Sequence, residues 1–465
     1  MNRRTGIRGM MILLGVLALT GGFMYGFACS ESRLGPYPQA RRIFDWSRRQ
    51  PWLRSTFYFI SGRDIDSADR ISGSWQPVAD GRGAQAGASE MTGAELQAVG
   101  YLSGYRPAGE LKGVTVNVPG LACDGLNFVV SGHAAEARLM DMDGRILHSW
   151  AYEFGEAFPE FEDIDGRYQV NPFYRNFWRR AFLYPNGDLL AVYEGFGMIK
   201  LDRDSRLIWA ISGGCHHDIE VTGDGSIYVL TREARMLPRF DEDRHVLEDF
   251  IAVVGPGGEI LRKVSLLEAF ERSPFASYLS ARLPVPDILH TNTVQVLDGS
   301  QAGRSGAFRK GNVLVSPRNI NVIAVVDMDE EKVVWALSGQ WVNQHEPTLL
   351  SDGNILLFDN KGHNRMSKVI EFDPLTQRIH WAYEGTPENG FYTESSGSAY
   401  RLANGNTLII ESNAGRAFEV TGDKQIVWEY YNTERAGDDD QLIATLFDVV
   451  RLPAGFPVDW LAAPN

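Results

Sequence analysis

Three of the nine histidines in this sequence, His217, His290 and His345, stand seven or eight residues ahead of an Asp-Gly pair: Asp224-Gly225, Asp298-Gly299 and Asp352-Gly353. An imidazole with its ordinary pKa of ~6.5 is largely neutral at pH 7, so it can attack as a nucleophile or move a proton. A lone histidine at a strand end is more often structural than functional. Three at equivalent positions of a repeat are brought together by the fold itself, and converging polar groups mark a pocket. Arg318 adds a planar fork of donors matched to the oxygens of a sulfate or phosphate; its bland alternative is an ion pair with a surface carboxylate. In His216-His217-Asp218 either histidine could act, and the His-Asp step parallels His345-Glu346, which favours His217. Three histidines can hold zinc, but the sequence places no carboxylate to support them and an arginine beside a metal is repelled, so no metal is expected. His133, His148, His245 and His380 fall outside these positions and read as structural or exposed, as does His363 in a loop.

The elements that must position these residues are marked by turns. Six dipeptides, Asp124-Gly125, Asn186-Gly187, Asp224-Gly225, Asp298-Gly299, Asp352-Gly353 and Asn404-Gly405, separate apolar runs of strand length. Asn or Asp followed by Gly supplies the two positive φ angles of a type I′ hairpin. A second hairpin follows each first one, and Trp150, Trp209, Trp335, Trp381 or Trp428 closes five of the six. Paired hairpins repeated six times from Gly113 to Tyr430 predict an all-β chain: a six-bladed β-propeller of four-stranded blades, each too small to fold alone. A two-sheet sandwich would account for the alternation but not for the sixfold repeat. The tryptophans read as blade-to-blade packing anchors. Aligned on the first turn, the blades present Asn117, Arg179, His217, Thr291, His345 and Gly397 to a shared funnel, with His290 one residue before Thr291.

Outside the repeat, the chain divides into a segment 1–30, a juxtamembrane stretch and linker 31–112, the propeller 113–452 and a tail 453–465. Residues 93–101 read as a short helix, and Ser265–Arg282 as a helical insertion. Gln441–Leu452 reads as a strand that covers an outer edge. Arg3, Arg4 and Arg8 precede an uncharged stretch, Gly9–Ser30, long enough to cross a hydrocarbon core of ~30 Å. It reads as an anchor or as a signal peptide cut after Ala28, with a lipidated Cys29 or a buried helix as lesser alternatives. The expectation is export, with the propeller in the periplasm or otherwise outside the cytoplasm. Cys123 and Cys215 could then be oxidised. A formal charge of −14 with no long basic run argues against a nucleic-acid partner.

His216-His217-Asp218, Asp287-Ile288-Leu289-His290-Thr291-Asn292, Ser316-Pro317-Arg318 and Gln344-His345-Glu346 come in an order that resembles bacterial aryl sulfotransferases. Asp352-Gly353-Asn354 with Phe358-Asp359-Asn360, and Asn404-Gly405-Asn406-Thr407-Leu408, resemble that family too. Such enzymes move a sulfuryl group between phenols without a nucleotide, and the resemblance spans about Gly113 to Tyr430. It implies that His345 takes the sulfuryl group, that His290 donates and accepts the proton with Asn292 beside it, and that Arg318 and His217 hold sulfuryl oxygens. His216 is a further substrate-binding candidate. No cofactor is implied; the partners are an aryl sulfate, a phenol and, through the N-terminal segment, a membrane. Family members carry a sizeable N-terminal β-domain used in dimerisation, where this chain offers a short segment, and the oligomeric state stays open.

Two other functions compete. Blade ends such as Asp373 to Trp381 resemble the docking repeats of quinoprotein dehydrogenases, which have eight blades and calcium-binding carboxylates. A membrane-tethered propeller could instead serve as a non-catalytic interaction platform, which needs no histidine cluster.

Overall fold

The computed structural model describes residues 109–461, apart from 162–171, 283–284, 362–365, 386–390, 437–439 and 441. The Gly9–Ser30 segment, the helix expected at 93–101 and His363 lie outside the described residues. Among the described residues no helix is long and apolar enough to cross a membrane.

Six antiparallel sheets form six blades. Blades 2 to 5 each take four consecutive strands, starting with the inner strands Arg180–Leu183, Cys215–Val221, Thr291–Val296 and His345–Leu349. Six blades do not match the eight of the quinoprotein pattern.

The ring closes from both chain ends, and here two expectations need correction. Leu446–Pro453 does not cover an outer edge; it is the innermost strand of blade 1, paired with Gly125–Ser131. Gly113–Asn117 is not the first strand of blade 1 but a fifth, outer strand of blade 6, paired with Ile426–Tyr431. Asn117 therefore lies opposite Trp428, away from the channel. Strand composition reports burial and alternation, not the partner, and a ring joined at its ends is closed by whichever strand the remaining sheet lacks.

The turns also differ from type I′. Gly187, Gly225, Gly299, Gly353 and Gly405 have φ of 84–88°, whereas the Asn or Asp before each is not left-handed. Four tips are type I turns closed by a left-handed glycine, as where Gly187 N–H donates to Tyr184 O at 3.0 Å, whereas Asp298-Gly299 lies in a longer loop that joins Thr291–Val296 to Val313–Pro317. The Asn or Asp side chain accepts from the N–H two residues on, as Asp352 Oδ1 does from Asn354 at 2.9 Å and Asp298 from Ser300 at 2.8 Å. That bond makes the ordinary backbone conformation the better one for these residues.

The tryptophans sit on the fourth strands and tie neighbouring blades. Trp150 Nε1 donates to Gly187 O at 3.0 Å, Trp209 to Pro256 O at 3.1 Å, Trp381 to Gly422 O at 2.9 Å and Trp428 to Met142 O at 2.9 Å. Around the channel, inner strands have no partner on one edge, and side chains of the preceding blade supply it. Asp218 accepts from Val294 N–H at 2.8 Å, and Thr293 Oγ1 from Glu346 N–H at 3.0 Å. The insertion forms a helix, Leu266–Glu271, capped by Ser265, and a 3-10 turn, Ala276–Ala281. It is the connection from blade 3 that delivers Asp287 and His290 to the channel. Cys123 and Cys215 are both free thiols, Cys215 buried.

Candidate active site

The inner strands of blades 3, 4 and 5 all break register where they meet the channel mouth. In blade 3, His216 stands opposite Leu230 and Ile219 opposite Val229, leaving His217 and Asp218 outside the ladder. In blade 4 the break lies between Thr291 and Val294, and in blade 5 between His345 and Thr348. Bulges of this kind bend a strand and re-aim its side chains. Left-handed backbone at His217 (φ 55°), His290 (47°) and Glu346 (47°) accompanies them. Such angles cost energy in residues other than glycine and persist where neighbours enforce them. At His217 the neighbour is Glu194, whose Oε2 accepts its N–H at 3.0 Å. At His290 it is Asp287, whose Oδ1 accepts its N–H at 3.0 Å.

These bulges bring the histidines together. The rings of His217 and His290 meet edge to face with centroids 4.9 Å apart. His290 Nδ1 lies 2.5 Å from Asp287 Oδ2, so the carboxylate holds the Nδ1 hydrogen and leaves Nε2 for proton exchange. Burial would raise the Asp287 carboxyl, but His290 and Arg232 beside it hold it well below the usual range. His345 Nδ1 faces Asn343 O at 3.0 Å and Asn360 Oδ1 at 2.7 Å. Two acceptors on Nδ1 place the hydrogen there and the lone pair on Nε2. Burial first, then the charges of Arg318 and Arg179, push the His345 pKa well below its ordinary value, so the ring is neutral at pH 7. Burial and the neighbouring cationic groups do the same to His217 and His216.

Arg318 opens a 3-10 turn beside this group, its N–H bonded to His290 O at 3.4 Å. It forms no ion pair among the described residues. Nη1 donates to Asn319 Oδ1 at 3.1 Å, and Nε is buried without a partner. Burial pulls its pKa down. A desolvated guanidinium with an open N–H is stabilised by an incoming anion.

His216 and Asn292 take supporting places. His216 is fully buried. Its Nδ1 lies 2.9 Å from His217 Nδ1 and 3.3 Å from Arg232 Nη2. By register it is His216, not His217, that corresponds to His345, so the His-Asp step was one residue out of phase with His345-Glu346. Asn292 is buried; its Nδ2 donates to Gln344 O at 2.8 Å and its Oδ1 accepts from Thr293, so it ties blade 4 to the residue before His345.

Donor atoms of Glu194, His216 and His217 lie within 4.8 Å of one another, the spacing of a metal site. The donor set does not fit one: the Arg232 guanidinium stands 3.3 Å from His216 Nδ1, where its charge opposes a cation, and the chain Glu194–His217–His216–Arg232 is linked at hydrogen-bond distances.

Comparison with known families decides what this geometry belongs to. The family model described as arylsulfotransferase (ASST) matches residues 183–433, more than half of the chain and the segment that carries His217, His290, Arg318 and His345. The chain belongs to the arylsulfotransferase family. No curated protein matches it. Among solved structures, a protein of unknown function from Bacteroides caccae is 14% identical, with 69% of this chain and 99% of that chain covered and a TM-score of 0.45. A virginiamycin B lyase from Staphylococcus aureus is 11% identical, with 72% and 98% covered and a TM-score of 0.39.

In this arylsulfotransferase-family chain, sequence reasoning passed over Asp287, Asn360 and Glu194 as site residues. Asp287 could have been found from its spacing, since a side chain three residues before His290 can accept its backbone N–H. Asn360 sits in the quoted Phe358-Asp359-Asn360, but nothing local links it to a histidine 15 positions away. Glu194 gave no signal.

Proposed function

We propose that this protein transfers a sulfuryl group from an aryl sulfate to a phenol through a sulfurylated His345, with no nucleotide. The observation that supports it best is His345 itself: Nδ1 committed to two acceptors, Nε2 carrying the lone pair, and close by the Arg318 guanidinium, whose buried Nε has no partner among the described residues. In the first step Nε2 attacks sulfur, the S–O bond breaks and its electron pair leaves on the phenolate oxygen. The adduct is an imidazolium, whose Nδ1–H is held by Asn343 O and Asn360 Oδ1, bearing an anionic sulfuryl group held by Arg318. His217, with its Nδ1 turned to Glu194 and His216, lines the pocket beside the sulfuryl group through the ring edge that meets His290. In the return step His290 Nε2 takes the proton of the acceptor phenol, the phenolate attacks sulfur, and the N–S electron pair returns to Nε2.

Incubation with 4-nitrophenyl sulfate alone, followed by peptide mass mapping, should place one sulfuryl group on the peptide holding His345, and His345→Ala should abolish transfer. An adduct on another histidine, or a fully active His345→Ala, overturns the roles. No adduct and no turnover would favour the interaction-platform reading. The basic N-terminus and Gly9–Ser30 support export as part of this proposal; a C-terminal reporter that works only in the cytoplasm should stay silent.

A further inference from the structure

Two arginines stand side by side where blade 2 enters the channel, and their surroundings differ completely. Arg180 reaches three carboxylates: Asp218 at 2.7 Å, Asp448 at 2.6 Å and Glu346 at 2.5 Å. Arg179 reaches none among the described residues. Its N–H is fixed to Val192 O at 2.8 Å, and its guanidinium lies 5.1 Å from the centroid of the Phe447 ring. Phe447 is backed by Phe177, ring centroids 4.9 Å apart and tilted 31°. Phe447 also stands at the register break of its own inner strand, between Leu446 opposite Ser131 and Asp448 opposite Val130. It occupies in blade 1 the place of His217 in blade 3, Asn292 in blade 4 and Glu346 in blade 5, the first residue inside each break. An aromatic face holds a guanidinium in position without neutralising it, which a carboxylate would do.

We propose that Arg179, positioned by Phe447, binds the phenolic oxygen of the substrate: the leaving oxygen of the donor and the attacking oxygen of the acceptor. This rests on the His345 transfer reading. In a ring of six, blades 2 and 5 face each other across the axis, and the Arg180–Glu346 bond shows that residues from these blades meet there. An in-line transfer puts the leaving oxygen on the far side of sulfur from His345 Nε2, the side from which blade 2 approaches. Arg318, on blade 4 next to His345, is left for the sulfuryl oxygens. No proton moves in this contact: as the S–O bond breaks, the electron pair stays on the phenolate oxygen, and Arg179 N–H donates to it. Arg179 is also near enough to both His217 and His345 for its charge to depress their pKa values.

The test compares aryl sulfates with good and poor leaving groups in wild type, Arg179→Gln, Arg179→Lys and Phe447→Leu. Arg179→Gln should lose ~10²-fold or more in kcat/KM for phenyl sulfate, the usual loss on removing one donor to a developing oxyanion, and much less for 4-nitrophenyl sulfate. Arg179→Lys should recover part of the loss, and Phe447→Leu should show the same leaving-group dependence more weakly. A loss that is uniform across the series overturns the assignment. A second readout needs no turnover: 4-nitrophenol bound to wild type should ionise at lower pH than free 4-nitrophenol. That shift should be kept in Arg179→Lys and lost in Arg179→Gln. If wild type forms no His345 adduct, the transfer reading fails, and the nitrophenol titration still decides whether Arg179 binds a phenolate. An unchanged shift in Arg179→Gln overturns the proposal.

Discussion

Asn360 sets the tautomer of His345. Its Nδ2 donates to Thr393 O at 3.0 Å and to Ser396 O at 2.7 Å, so both amide hydrogens are used and Oδ1 is the atom left for His345. At 2.7 Å that oxygen accepts from Nδ1, and the lone pair must then lie on Nε2. Three blade elements converge on one proton: the inner strand of blade 5 carries His345, Asn360 directly follows the neighbouring strand Ile355–Asp359, and the residues leading into blade 6 lock the amide.

Asn360→Ala should therefore lower kcat by about 10–100-fold without a matching rise in KM, since it frees the ring to take the unproductive tautomer. Asn360→Asp gives the sharper test. A carboxylate facing Nδ1 favours imidazolium and raises the His345 pKa. Wild-type kcat/KM requires neutral His345, so its acid limb from this group lies well below pH 6.5. In Asn360→Asp that limb should move to higher pH. A pH profile that superimposes on wild type would show that Asn360 only fills space.

The parts of this architecture that repeat were legible in the sequence. Trp209, Trp381 and Trp428 could be read as blade anchors because each blade restates the same packing problem. The strands that close the ring were not legible: Leu446–Pro453 pairs with Gly125–Ser131, more than 300 residues earlier, and no local pattern names that partner. The site divides in the same way. His217, His290 and His345 are visible because the repeat puts them at one mouth. Asn360, Asp287 and Glu194 act on a neighbour's proton or backbone, which depends on bulges and left-handed angles that sequence spacing does not encode.

Ring closure makes a stability prediction at Arg451. Its Nη1 meets Glu419 Oε2 at 3.0 Å, its Nε donates to Asn127 Oδ1 at 2.7 Å, and its guanidinium lies 4.9 Å from the Trp428 ring centroid. The pair joins the inner strand of blade 1 to blade 6 and is almost fully buried. Arg451→Met keeps much of the volume but leaves Glu419 charged and buried without its cation. Asn406 Nδ2 and Cys123 N–H still donate to that carboxylate, at 2.6 Å and 2.7 Å, which limits the damage. The expected loss is about 3 kcal/mol in urea unfolding. A change within ~0.5 kcal/mol would mean that the closure does not depend on this pair.

The channel below the histidines makes the last prediction. Arg180 shares a cavity of ≈ 190 Å³ with Asp218, Glu220 and Glu346, and Asp448 bonds to it from blade 1. One cation cannot balance four carboxylates, and burial opposes their charge. Burial pushes Glu346 up to about 7 against the pull of Arg180, with Asp218 and Asp448 adding repulsion; burial likewise pushes Glu220 up to about 7. Both have ordinary values of 4.5, so between pH 4.5 and 7 the folded chain keeps protons that the unfolded chain releases. Their stabilising contribution is full below 4.5 and is lost as pH rises through 7. The buried histidines act in the opposite sense: with folded pKa values depressed, they favour the folded state above ~6.5 and lose that contribution as pH falls. Glu346→Gln removes one of the two glutamate terms and none of the histidine terms. Relative to wild type, its urea midpoint should therefore climb between pH 5 and pH 7, while the histidine-linked loss on acidification is the same in both. An unchanged difference between the two proteins across this range would mean that Glu346 is ionised throughout it in the folded channel.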